Sequence, residues 1–126
     1  MASTIQKFSD LITWKESHQV VLNVYALTKK FPRDEVFGLT SQMRRSAVSV
    51  TSNIAEGFGR NTFKDKVHFF YQARGSLTEL RNQLMVSKDI SYISEVEYAN
   101  IDDMIDRSQR LLHGLITKTN SITKLQ

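Results

Sequence analysis

Apolar residues recur at spacings of three and four along most of this chain, and no stretch alternates as a strand would. In the first run, Leu11, Trp14, His18, Val21, Leu22 and Tyr25 share one stripe, while Val20, Val24 and Leu27 lie off it. Ser9 or Asp10 can cap a helix beginning near residue 10. Lys29 and Lys30 suit the negative end of its dipole. Pro32 disfavours helical geometry at Phe31, so the helix must stop before it. The connection that follows, FPRDEVFGLTSQ, exceeds a minimal helix–helix turn and predicts a short helical turn of its own.

Thr40 or Ser41 can cap a second helix running to Phe58, with Gly57 and Gly59 at its end. At 3.6 residues per turn, Leu39, Met43, Ala47, Val50, Ile54 and Phe58 make its core face. Arg45, Ser49, Ser52, Glu56 and Arg60 form a separate strip, Asn53 lies between the two, and Arg44 projects from the other flank. The small residues Ser46, Ala47, Ser49, Ser52 and Ala55 predict close neighbours on more than one face.

Thr62 can cap a third helix from Phe63 to Asp89, with Val67, Phe70, Ala73, Leu77, Leu80 and Leu84 along one side. Gly75 in its middle costs about 1 kcal/mol relative to Ala, which predicts close approach by another backbone. Ser94 and Glu97 read as the capping box of a fourth helix striped by Ile101, Met104, Ile105, Ser108, Leu111, Leu112 and Leu115. Its acids come early and its bases late, matching the helix dipole. Four amphipathic helices with short connections predict an all-α protein: an antiparallel up-down four-helix bundle over residues 10–118, with tails at 1–9 and 119–126.

The length of 126 residues fits one domain. There is no Cys, which excludes disulfide frameworks, thiolate zinc sites and cysteine nucleophiles. No stretch is apolar enough to span a bilayer, and MASTIQKFSD lacks a basic region followed by an apolar run, so a cytoplasmic protein with no membrane partner is expected. Seventeen Lys and Arg against thirteen Asp and Glu give a net charge of +4. That mild excess permits RNA, DNA or acidic protein partners without demanding them.

Two roles compete for the polar residues. Arg74 falls within the apolar stripe of the third helix, and a buried Arg requires a carboxylate. Glu56 is the expected partner, and Glu79, on another side, could face Arg44 or Arg45. On this plainer reading Arg45, Asn53, Glu56, Arg74 and Glu79 form a structural network that fixes helix register; such networks often imitate functional sites. On the other reading Arg44, Arg45, Arg60, Lys64 and Lys66 contact nucleic acid. Arg60, Lys64 and Lys66 cluster at a turn with Phe63 and His68 interleaved, although Asp65 sits among them. His18, His68 and His113 lie on three different helices without ligand spacing, and Asp102, Asp103 and Asp106 read as a solvated face. No catalytic residue, metal ligand or cofactor is predicted, so the chain is not expected to be an enzyme.

The stretch LTSQMRRSAVSVTSNIAEGFGR, followed by FFYQARGSLTEL, resembles the four-helix-bundle family of the 23S rRNA intervening-sequence protein, also called the S23 ribosomal protein family. The opening FSDLITWKESHQVVLNVYALTKKFPRDEVFGLTSQ fits the same pattern of an early aromatic, a Trp, a Tyr and a Phe-Pro corner. The resemblance spans residues 8–115; Thr51 departs from it, standing where the family usually has Pro. It implies an antiparallel bundle assembling into a homo-oligomer, a pentameric ring, with no established enzyme activity. A related branch, the accessory proteins of diversity-generating retroelements, forms basic pentameric barrels that bind nucleic acid and a reverse transcriptase. Val20, Val24, Leu27 and Phe69, off their stripes, are the expected drivers of self-association. Two functions remain open: a non-catalytic scaffold or adaptor that binds nucleic acid, and a purely structural or protein-binding oligomer.

Overall fold

The computed structural model describes residues 4–125; residues 1–3 and 126, parts of the two expected tails, lie outside the described residues. A 3-10 turn at Phe8–Asp10 leads into α1 (Ile12–Thr28), a second at Arg33–Glu35 occupies the long connection, and α2 (Leu39–Phe58), α3 (Phe63–Asp89) and α4 (Glu95–Leu125) follow. α4 thus stays helical beyond residue 118.

Local capping chemistry explains most of these boundaries. The Thr62 hydroxyl accepts the Asp65 N–H at 3.1 Å and starts α3. Ser94 and Glu97 exchange backbone-to-side-chain bonds of 2.9 and 3.0 Å and start α4. Two starts differ from expectation. The Asp10 carboxylate accepts the N–H groups of Gln6 and Lys7, so it caps the 3-10 turn, and those bonds hold its pKa below the ordinary value. α2 begins on Glu35, whose Oε1 accepts the Leu39 N–H at 3.2 Å, while the Ser41 hydroxyl donates to Gly38 O. Thr40 and Ser41 are not its caps. Between α3 and α4 the chain reverses through Ser91, which takes a φ of 67°, the left-handed region that favours glycine.

Each helix packs against its sequence neighbours, and α1 closes the ring against α4. The pairings Ser49–Ser76 and Met43–Ser87 run α2 against α3, and Arg81–Asp106 and Tyr71–Asn120 run α3 against α4, all antiparallel. The bundle is therefore up-down. Val24, Met43, Ile54, Leu80, Leu84, Ile101, Ile105 and Leu112 fill its centre.

The inward face of α1 is only in part the expected stripe: Val21 is buried and Leu11 and Trp14 pack on the core. Val20, Val24 and Leu27 are buried, whereas Leu22 and Tyr25 are exposed. Two small polar residues explain the rotation. Thr13 and Ser17 are buried against α4, where the Ser17 hydroxyl donates to Ser108 Oγ at 3.4 Å and Thr13 reaches Leu111 O at 3.5 Å. Short hydroxyl side chains let the helices close, and their hydrogen bonds remove the penalty of burying them. Val20, Val24 and Leu27 thus cannot drive self-association, and Phe69 is half-buried.

Gly57 and Gly75 play different parts. A Cβ at Gly57 would stand 2.6 Å from the Phe70 ring and 3.0 Å from Lys66 O, so this glycine sets the approach of α2 to α3. A Cβ at Gly75 would meet nothing within 4 Å; no backbone of this chain approaches it. The outer strip of α2, including Arg45, Ser52 and Glu56, is likewise uncovered within the chain.

Candidate nucleic-acid interface

Arg44 and Arg45 project from the second turn of α2 toward the end of α1. Arg44 is held in place. Its Nε donates to Thr28 Oγ1 at 2.9 Å, and its guanidinium lies 4.6 Å from the centroid of the Tyr25 ring. Thr28 can accept because its own hydroxyl donates back to Val24 O at 2.7 Å. Arg45 is exposed and has no partner among the described residues. The two arginines, Tyr25, Val36, Thr40, Ser41 and Val48 line an open depression of about 420 Å³. A second depression shares Val36, Thr40 and Arg44 and adds Lys29 and Arg33. Next to Val36, Phe37 is 96% exposed. Of the two acids in the connection, Glu35 is occupied by the Leu39 N–H and by the Tyr92 hydroxyl at 2.8 Å, and Asp34 is exposed beside Arg33. Four cations and the exposed Tyr25 ring therefore share one corner of the bundle, between α1 and α2, and Phe37 is exposed in the connection beside it.

The other predicted cluster is less open. Arg60 pairs with Glu56 at 3.3 Å, one helical turn away, and its guanidinium covers the Phe69 ring at 4.4 Å. Lys64 is exposed without a partner among the described residues. Lys66 turns inward: its Nζ donates to Phe58 O, the last carbonyl of α2, at 2.5 Å. Burial there lowers its pKa, because the charged form loses hydration. Lys66 closes a helix end and is only partly exposed.

The expected structural network does not form as one unit. Arg74 is exposed, lies 4.8 Å from the Tyr71 ring centroid and makes no pair with Glu56. Asn53 donates to Ser49 O and Ser49 Oγ, and Ser49 in turn meets Ser76 at 2.8 Å across the α2–α3 seam. Glu79 accepts from Gln83 within α3 at 3.3 Å. The ion cluster between helices is centred instead on Arg81. Its Nη2 reaches Asp106 at 2.6 Å and its Nη1 donates to Gln109 at 3.2 Å. Its Nε stands 3.2 Å from Asp102, within ion-pairing range but not aligned as a hydrogen bond. Asp102 and Asp106 are accordingly bound to α3, and only Asp103 fits the solvated face. The i, i+4 spacing of Asp102 and Asp106 was visible in the sequence; their partner was not, because it depends on the α3–α4 register.

His18 stacks on Trp14 at 4.6 Å between ring centroids, a packing role. Among the described residues no group of three or more His, Cys, Asp or Glu is placed to hold a metal ion, and no helix is long and apolar enough to cross a membrane. Sequence reasoning missed Lys29 and Arg33 as parts of the α1–α2 corner, and Phe37 exposed beside it. The signal for Phe37 was an aromatic in the connection, outside the apolar stripes of both flanking helices.

Fold and surface together define an all-α up-down four-helix bundle whose basic candidate residues line open depressions on its outside. The chain belongs to the 23S rRNA-intervening sequence protein family, whose model matches residues 9–114. It is also similar to the crystal structure of a protein with unknown function from the S23 ribosomal protein family of Bacteroides thetaiotaomicron. That likeness has a TM-score of 0.78 at 20% identity and covers 84% of this chain and 96% of that one, which bears on the fold alone. No curated protein matches the chain.

Proposed function

We propose that this protein is a non-catalytic, cytoplasmic, homo-oligomeric scaffold or adaptor that binds RNA or DNA. The observation that carries the reading is the convergence of Arg44, Arg45, Lys29 and Arg33 with Tyr25 at the α1–α2 corner, beside the exposed Phe37 of the connection. Cations that track a phosphate backbone beside aromatic rings on which bases stack are the two parts of a single-strand binding surface. Arg60 and Lys64 extend the basic surface at the far end of α2, and Lys66 keeps its helix-closing role. Assembly into a ring of five, as the resemblance to the 23S rRNA intervening-sequence protein family implies, would repeat the corner and raise affinity through multivalency.

Fluorescence anisotropy with short single-stranded RNA and DNA, over a salt series, tests this. The Arg44→Gln/Arg45→Gln variant is expected to bind at least tenfold more weakly, with a salt slope shallower by about one to two units. Unchanged affinity would remove the corner from the interface.

A second reading is a purely structural or protein-binding oligomer. It is favoured by the exposed apolar side chains Leu22, Val36, Phe37 and Val48. Light scattering of Phe37→Ser separates the two. Loss of assembly with no nucleic-acid binding by the wild type at low salt would support the second reading over the first.

A further inference from the structure

On the other side of the bundle, α3 and α4 enclose an open cleft of about 550 Å³ lined by Arg74, Asp106, Gln109, Arg110 and His113. That volume suits a ligand of nucleotide size. Arg74 is oriented in advance. Its guanidinium lies over the Tyr71 ring, and the Tyr71 hydroxyl accepts a bond from Asn120 Nδ2 at 2.9 Å, which fixes the ring across the helix pair. Arg110 and His113, one turn apart on α4, are exposed and have no partner among the described residues.

The carboxylate in the cleft does not neutralise them. Asp106 Oδ1 is taken by Arg81 at 2.6 Å, and Arg81 also holds the Gln109 carbonyl oxygen. This leaves Asp106 Oδ2 and the Gln109 amide nitrogen, on two residues that line the cleft, without a bond among the described residues. One end of the cleft thus offers two guanidinium forks and an imidazole, suited to the several oxygens of a terminal phosphate. The other offers an acceptor and a donor, suited to hydroxyl or amino groups.

We propose that the α3–α4 cleft binds a small phosphomonoester of nucleotide size, its phosphate held by Arg74, Arg110 and His113 and its hydroxyl groups by Asp106 and Gln109. A continuous polyanion fits less well, because the Asp106 carboxylate would lie against its backbone. The site is independent of the α1–α2 corner.

Isothermal titration of the full-length protein with adenosine monophosphate, adenosine and inorganic phosphate, in separate arms, tests the proposal. Adenosine monophosphate is expected to bind more tightly than either fragment, and Arg74→Gln/Arg110→Gln to weaken it at least tenfold. Both arginines are exposed, and the circular-dichroism spectrum checks that the variant folds. The same variant should bind single-stranded RNA as the wild type does. No heat with adenosine monophosphate, equal affinity in the double variant, or binding of inorganic phosphate as tight as that of adenosine monophosphate would each overturn it. If RNA affinity falls in the variant and adenosine monophosphate does not bind, the cleft belongs to the nucleic-acid surface and the small-ligand proposal fails.

Discussion

Gly57 and Gly75 both sit within helices, yet alanine should act on them with opposite sign. In each helix the substitution relieves the backbone penalty of glycine, about 1 kcal/mol in a helix interior and less near the end of α2. At Gly75 nothing opposes that gain, because a Cβ there meets no atom within 4 Å. At Gly57 the new Cβ would stand 2.6 and 2.9 Å from Phe70 Cε1 and Cδ1 and 3.0 Å from Lys66 O. Neither neighbour yields cheaply. Phe70 is 2% exposed and wedged in the core, and the Lys66 carbonyl is helical backbone. Overpacking of this kind costs about 1–3 kcal/mol, and two rigid neighbours place Gly57 toward the upper end. The net expectation is a loss of about 2 kcal/mol for Gly57→Ala and a gain of about 0.5–1 kcal/mol for Gly75→Ala. For a domain of this size 1 kcal/mol moves Tm by roughly 3–5 °C, so calorimetry should find Gly57→Ala lower by roughly 6–10 °C and Gly75→Ala higher by roughly 2–5 °C. A Tm for Gly57→Ala at or above the wild type would refute the close α2–α3 approach. A fall for Gly75→Ala, accompanied by smaller particles in light scattering, would mean that another subunit packs on that glycine.

Further expectations concern charge and backbone. Arg81→Gln should cost about 1 kcal/mol in urea unfolding, since Asp102 and Asp106 are only partly screened by solvent; no shift in midpoint would make the cluster energetically idle. Ser91→Gly should raise stability by up to about 1 kcal/mol by relieving the left-handed backbone, and a lower Tm would contradict the φ of 67°. The Lys30 ammonium and the Ser94 N–H lower the pKa of Glu97 from 4.5. Its contribution is therefore present above the unfolded value and lost as pH falls through the folded one; Glu97→Gln should flatten the acid limb of Tm against pH. The hydrogen bond to Glu35 raises the Tyr92 pKa from 10.0, so its contribution is present below that value and lost as pH rises through the folded one. Tyr92→Phe should abolish that alkaline loss, and an unaltered alkaline limb would exclude the pairing.

The sequence by itself determined the number of helices, their order and several of their ends. Caps and periodicities are short-range: Thr62 with Asp65, and Ser94 with Glu97, satisfy backbone groups three residues away, wherever the helix later docks. The family pattern in SNIAEGFGR was legible for the same reason, as a contiguous string. Tertiary structure decided which way each helix faces and which charges meet. Thr13 and Ser17 turned α1 so that Val20 and Val24 went inside, because their hydroxyls found Leu111 O and Ser108 across the seam, and no apolarity count contains that bond. Arg74 looked buried by its stripe and is exposed, whereas Arg81, also within α3, took the two aspartates of α4. Lys66 left the expected patch for the end of α2, and Phe37 stayed exposed in the connection beside the α1–α2 corner. Each of these outcomes depends on the rotation and register of two helices against each other, and those are fixed only when the whole core packs at once.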